Sequence, residues 1–177
     1  MKTQKVLFFI LMFIGTYHNA FCQGIFKQRV FVLDEDRILD DENLDFFIEK
    51  LNSGEFTTLK STKEIPHFIR KQMRWLNDKN LADFNEPYQD DCSASLELPR
   101  RQVTFLAKSN DVFIISYVTG GIATTAYTAL IYYSRKRVID AWVAYSWYDI
   151  SSVSAILEWI HKERYREYSL HENFLNY

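Results

Sequence analysis

Three groups of side chains in this sequence have the types and spacing to do chemistry. The first is Asp90-Asp91-Cys92-Ser93, where two carboxylates adjoin a thiol. If the fold brings His67, His161 or His171 to it, the imidazole could take the thiol proton and the set could work as a small hydrolase. Distance along the chain neither favours nor opposes that contact. The neighbouring carboxylates do oppose it, because they raise a thiol's pKa and disfavour the thiolate. Burial as a small apolar residue is the commoner fate of a single cysteine.

The second group is the acidic stretch from Asp34 to Asp45, with seven carboxylates and Arg37 as the only cation. A helix-loop-helix calcium site is excluded by spacing: Ile38 sits where an oxygen ligand is needed and Leu39 where a glycine is needed. The remaining reading is local, with Asp40 or Asp41 capping a following helix and the other acids favouring its positive end. His67 has no histidine or cysteine three or four residues on, so it makes no metal pair. The sequence also has no G-x-S-x-G elbow, no H-E-x-x-H, no phosphate-binding glycine loop and no C-x-x-C pair. No metal, cofactor or catalytic residue is therefore assigned.

The third group is aromatic. Tyr127, Tyr145 and Trp147 fall on segments that read as strands, where they could line a ligand-binding face. The competing reading is plain core, since large aromatics are highly buried on average.

These residues depend on Arg101 to Trp147, where four β-type segments follow with short turns: Gln102–Lys108, Val112–Val118, Ile122–Ser134 and Val138–Trp147. Ser109-Asn110-Asp111, Thr119-Gly120-Gly121 and Arg135-Lys136-Arg137 supply the reversals. If the last two loops each hold three residues, Phe113 faces Tyr127 and Tyr127 faces Tyr145, an aromatic row on one face. The other face is then lined by the small residues Thr124, Ala126, Thr128, Ala144 and Ser146, against which a helix can lie close. Strands two to four carry apolar residues on both faces, so the second face needs a cover. It could be the irregular 79–100 segment, the C-terminal tail, a second subunit or a ligand.

Helices are expected at about Asp41–Asn52, from the stripe Leu44, Phe47, Ile48 and Leu51, and from the Ser61–Glu64 capping box to about Asn77, from Ile65, Phe68, Ile69, Met73 and Leu76. A third follows Asp149 or Ser151, with Val153, Ile156, Leu157 and Ile160 buried. Residues 24–33 read as an extended segment. The fold class expected is α+β: a four-stranded antiparallel meander, with curvature into a roll an option, two N-terminal helices and one C-terminal helix packed on one face of it. That order of elements is similar to the rolled sheets of the nuclear-transport-factor-like and cystatin-like superfolds, a likeness of architecture that implies no particular function.

Residues 1–22 have the parts of a secretory signal peptide: Lys2 and Lys5, the apolar run Val6 to Ile14, and Ala20-Phe21-Cys22 as a small-x-small cleavage site. A lipid anchor at Cys22 fits less well, because Phe21 and Asn19 stand where a small residue and a leucine are wanted. Residues 23–177 then form one domain of 155 residues, with 168–177 as a possible tail, enough to bury roughly 70% of the unfolded surface. Cys92 is left without a disulfide partner. Removing Lys2 and Lys5 takes the net charge from −2 to −4, which sets up no overall field for nucleic acid or anionic lipid. The expectation is an exported protein, periplasmic or secreted, with no transmembrane segment after signal removal. It would bind an unidentified small molecule or protein without catalysis, with a homodimer as one form of partner and the Asp90/Asp91/Cys92 hydrolase as the alternative.

Overall fold

The computed structural model describes residues 31–163 apart from 33, 40, 74–75, 77–80, 91–97 and 122. The expected signal and Cys22, nearly all of the extended 24–33 segment, Asp91, Cys92, His171 and the 168–177 tail lie outside the described residues.

A mixed α+β architecture forms, built on an open sheet in the order β1-β3-β4-β5-β6, not closed into a barrel. The four long strands are β3 (Arg101–Lys108), β4 (Val112–Thr119), β5 (Thr125–Ser134) and β6 (Arg137–Tyr145), in the antiparallel meander the turns predict. Two further strands of two residues each join the sheet, the first within the 56–60 stretch that reads as a short extended connection. β1 (Thr57–Thr58) runs antiparallel to the far end of β3, and β2 (Leu81–Ala82) runs parallel to its beginning. Together they occupy the outer edge of β3, which would otherwise offer a bare ladder.

The helices are α1 (Glu35–Leu39), α2 (Leu44–Ser53), α3 (His67–Gln72) and α4 (Val153–Glu163). They do not share one face. Ile38 of α1, Leu44, Phe47 and Leu51 of α2, and Ile156, Trp159 and Ile160 of α4 pack with Phe105, Ala107, Val112, Ile114, Leu130, Trp142 and Ala144 on the first face. Ile69 of α3, with Leu59, Ile65, Met73 and Leu76 beside it, packs on Leu106, Phe113, Ile115, Ile131 and Val143 on the second. The sheet is thus the middle of three layers, which is why Val112 to Val118 is buried without a break. The second face is covered by the segment expected on the first.

Two helix starts differ from expectation. Asp41 does not cap α2, which begins three residues later; its Oδ1 accepts from Trp142 Nε1 at 3.0 Å. Ser152, not Asp149 or Ser151, accepts from the Ala155 amide at the start of α4. Where a single helix is expected from Ser61 to about Asn77 there are two pieces, a 3-10 turn at Thr62–Glu64 and then α3, which ends at Gln72. Pro66 explains the split, because it drives Ile65 to φ −60°, ψ 125°.

Asp83 ties that turn to the loop after β2. Its carboxylate accepts from Ser61 Oγ and from the amides of Thr62 and Phe84, each at 2.9 Å for the amides. Partial burial works against its ionisation, but the hydroxyl and amide donors outweigh it and hold the carboxyl below its usual range. A depressed folded pKa stabilises at all pH above the unfolded value, about 4, and the contribution is lost as pH falls through the folded value. Asp83→Asn should therefore flatten the acid side of the stability profile below about pH 4. Unchanged acid denaturation in that variant would show the turn is held by other contacts.

β6 is the other edge, and both layers guard it. Gln72 Oε1 accepts from the Val138 amide at 3.0 Å while its Nε2 donates to the Lys136 carbonyl at 3.3 Å and the Phe68 carbonyl at 3.2 Å. On the first face Asn43 Nδ2 donates to the Ala141 carbonyl at 3.2 Å and to Asp140 Oδ1 at 3.0 Å. Side chains here do for the ladder what a further strand would.

Candidate functional site

Strand pairing decides which aromatics meet. The β5–β6 connection is a two-residue turn, Arg135-Lys136, not three, and Ser134 pairs with Arg137. Two residues further in, Ile139 bulges between the Val138 and Asp140 pairs, and the extra residue restores the frame in which Tyr127 faces Tyr145. The expected pair forms through two departures that cancel. At β4–β5 the loop spans residues 120–124, five where three were expected, so Phe113 faces Ile131 and Tyr117 faces Tyr127. The shift is by an even number of residues, so the aromatic row keeps its face.

The row is Tyr117, Tyr127 and Tyr145 across three neighbouring strands. Tyr117 and Tyr127 stack at 5.4 Å with their planes 18° apart, and Tyr127 lies 4.9 Å from Tyr145 at 34°. The guanidinium of Arg101 stands 5.7 Å from the Tyr117 ring centre, a cation placed over the π face. Tyr117 is buried, and Tyr127 and Tyr145 are partly exposed. Arg101 reaches Tyr117 because a bulge between Val103 and Phe105 shifts the β3 register and pairs Arg101 with Thr119.

Irregular chain gathers at this end of the sheet. The Gly120 amide donates to the Arg100 carbonyl at 3.0 Å, the Gln89 amide to the Pro99 carbonyl at 2.8 Å, and Gln102 Nε2 to the Glu86 carbonyl at 2.6 Å. Gly120 is required by contact: a Cβ there would stand 1.8 Å from the Gln89 carbonyl oxygen and 2.6 Å from Asp90 Cα. Exposed Tyr148 donates its hydroxyl to the Thr124 carbonyl.

Burial pushes the Tyr117 phenol far above its usual range, Arg101 only partly opposing it. Burial, then the charge of Asp90, then Tyr148, raises Tyr88 as well. Both stay protonated at neutral pH, so they can stack and hydrogen-bond but are poor bases or nucleophiles there.

Trp147 does not join the row. Strand alternation ends after Tyr145, and Trp147 packs with the first-face cluster, its Nε1 3.4 Å from Glu163 Oε1 and its ring 4.9 Å from Lys162 Nζ. Of the hydrolase set, Asp90 is exposed beside Gly120, while His67 and His161 are exposed on helices that lie on opposite faces of the sheet. Among the described residues no three acidic, histidine or cysteine side chains are placed to hold a metal, and no helix is long and apolar enough to cross a membrane. Tyr117 and Arg101 were missed by the sequence reading; the five-residue loop that selects Tyr117 carries only Gly120-Gly121 as a signal. No protein-family model, curated protein or solved structure matches the chain.

Proposed function

We propose that the protein is an exported, non-catalytic module that binds a small molecule or a partner protein at the tyrosine end of its sheet. The observation that carries this is the run of Tyr117, Tyr127 and Tyr145 with Arg101 at its head, set on rigid strands where three irregular segments converge. Binding residues concentrate where loops meet a rigid scaffold. Tyrosine suits such a place, giving a large stacking area at low entropy cost and a polar tip. Export rests on the basic start, apolar run and small-x-small site of residues 1–22.

The test begins with a thermal-shift screen of small molecules and envelope extracts, followed by titration of each hit against variants. Tyr127→Leu and Tyr145→Leu should each weaken binding about tenfold, from loss of ring stacking and the hydroxyl. Tyr133→Leu is the control, since Tyr133 packs on Phe68 at the other end of the strand. Affinity untouched by the first two substitutions, with stability reduced, would make the row ordinary core and sink the reading.

A further inference from the structure

At the end of the β5–β6 hairpin away from the tyrosines, residue type and backbone conformation disagree. Arg135 and Lys136 have φ of 48° and 61°, the left-handed values that a two-residue hairpin turn demands. Asn-Gly meets that demand cheaply, whereas residues with long side chains hold it at a conformational cost. Such outliers persist only where the surrounding structure over-determines them, and they cluster at functional sites.

Those side chains make a basic patch with no acidic partner among the described residues. Arg135, Lys136 and Arg137 are exposed, and so is Lys71 of α3, whose neighbour Gln72 is bonded to the Lys136 carbonyl. Among the described residues none of these four cations forms an ion pair, whereas Arg37, Lys50 and Lys162 all do. The one acid on the hairpin, Asp140, is engaged by Arg37 at 3.4 Å and by Asn43. Asp41, ahead of α2, is bonded to Trp142 in the middle of β6 and not at its tip. Two residues beyond Arg137 the bulge turns Ile139 outward, 48% exposed.

We propose that this tip is a docking surface for an anionic lipid bilayer: the cations meet headgroup phosphates and Ile139 enters the boundary of the acyl region. An apolar residue amid cations suits a membrane surface, which offers both charge and hydrocarbon; a nucleic acid or acidic polymer gives Ile139 nothing. The acidic balance of the whole chain does not prevent this contact, because exposed charges more than about 8 Å away are screened at physiological salt. The proposal is independent of any binding at the tyrosine end, which it would leave facing away from the membrane.

The experiment is vesicle co-sedimentation of the protein purified from its native host after export. Vesicles of phosphatidylcholine alone are compared with vesicles in which about a third of the lipid is phosphatidylglycerol. Binding is expected only to the anionic vesicles, falling at least tenfold at about 0.5 M salt. The combined variant Arg135→Asn, Lys136→Gly, Arg137→Thr keeps the turn by its preferred residues and should bind about 100-fold more weakly with an unchanged or higher melting temperature. Ile139→Ser should weaken binding several-fold while leaving its salt dependence intact. Equal binding by the combined variant and the native protein would overturn the proposal. So would equal binding to neutral vesicles, or retention on a soluble polyanion such as heparin without any vesicle binding.

Discussion

Replacing Trp142 with alanine is expected to lower the unfolding free energy by about 3–5 kcal/mol, a large part of the roughly 5–15 kcal/mol that domains possess. Trp142 is fully buried on β6, opposite Leu130. Its ring lies 5.7 Å from that of Trp159 on α4, and its indole N–H reaches Asp41 ahead of α2. One side chain therefore joins the sheet to both the N-terminal and the C-terminal helices of the first face, and alanine would leave a cavity bordered by three elements that cannot all collapse into it. Trp142→Phe keeps most of the volume and loses the N–H, so it should cost less, about 1–3 kcal/mol. Urea unfolding followed by far-ultraviolet circular dichroism measures both. A cost for alanine below about 1 kcal/mol would mean that α4 does not rest on Trp142.

Gln72→Leu is the second large effect, about 2–4 kcal/mol, for a different reason. The volumes are similar, so little cavity forms. What is lost is an acceptor for the Val138 amide and donors for the Lys136 and Phe68 carbonyls. Val138 is itself buried, and a backbone amide stripped of its partner there costs far more than the bond contributed net. The freed edge of β6 should also self-associate, so the variant should show concentration-dependent species on sizing as well as a lower urea midpoint. Gln72→Glu keeps an acceptor but no donor at neutral pH; on protonation in acid it can donate again and should recover part of the loss. A Leu variant as stable and as monodisperse as the native protein would show that the edge needs no guard.

The meander was legible because each part of it is written locally. Valine, isoleucine and aromatic residues mark the strands, and turn-forming residues separate them. The apolar stripes of α2 and α4 were legible in part for the same reason, since 3.6-residue spacing commits a face: Leu44, Phe47, Leu51, Ile156 and Ile160 are buried as expected, whereas Ile48, Val153 and Leu157 are half-buried and Trp159 takes the buried place on α4. Loop lengths were less so. The Tyr127–Tyr145 pair came from a turn one residue shorter than expected and a bulge one residue long, neither of which has a residue code of its own. Trp147 shows the limit of alternation: it predicts a face only while the ladder continues, and the ladder ends two residues earlier.

By itself, then, the sequence determined the α+β class, the strand sequence and most of the helical stripes, all properties of residues close along the chain; the register that sets Tyr127 against Tyr145 was not among them. The tertiary structure alone decided that α3 covers the second face, that Asp41 serves an indole 101 residues away instead of a helix end, and that Tyr117 and Arg101 complete the row. Those outcomes depend on which distant surfaces bury the most apolar area together and which buried polar atoms then need partners. No local pattern encodes a choice made between segments a hundred residues apart.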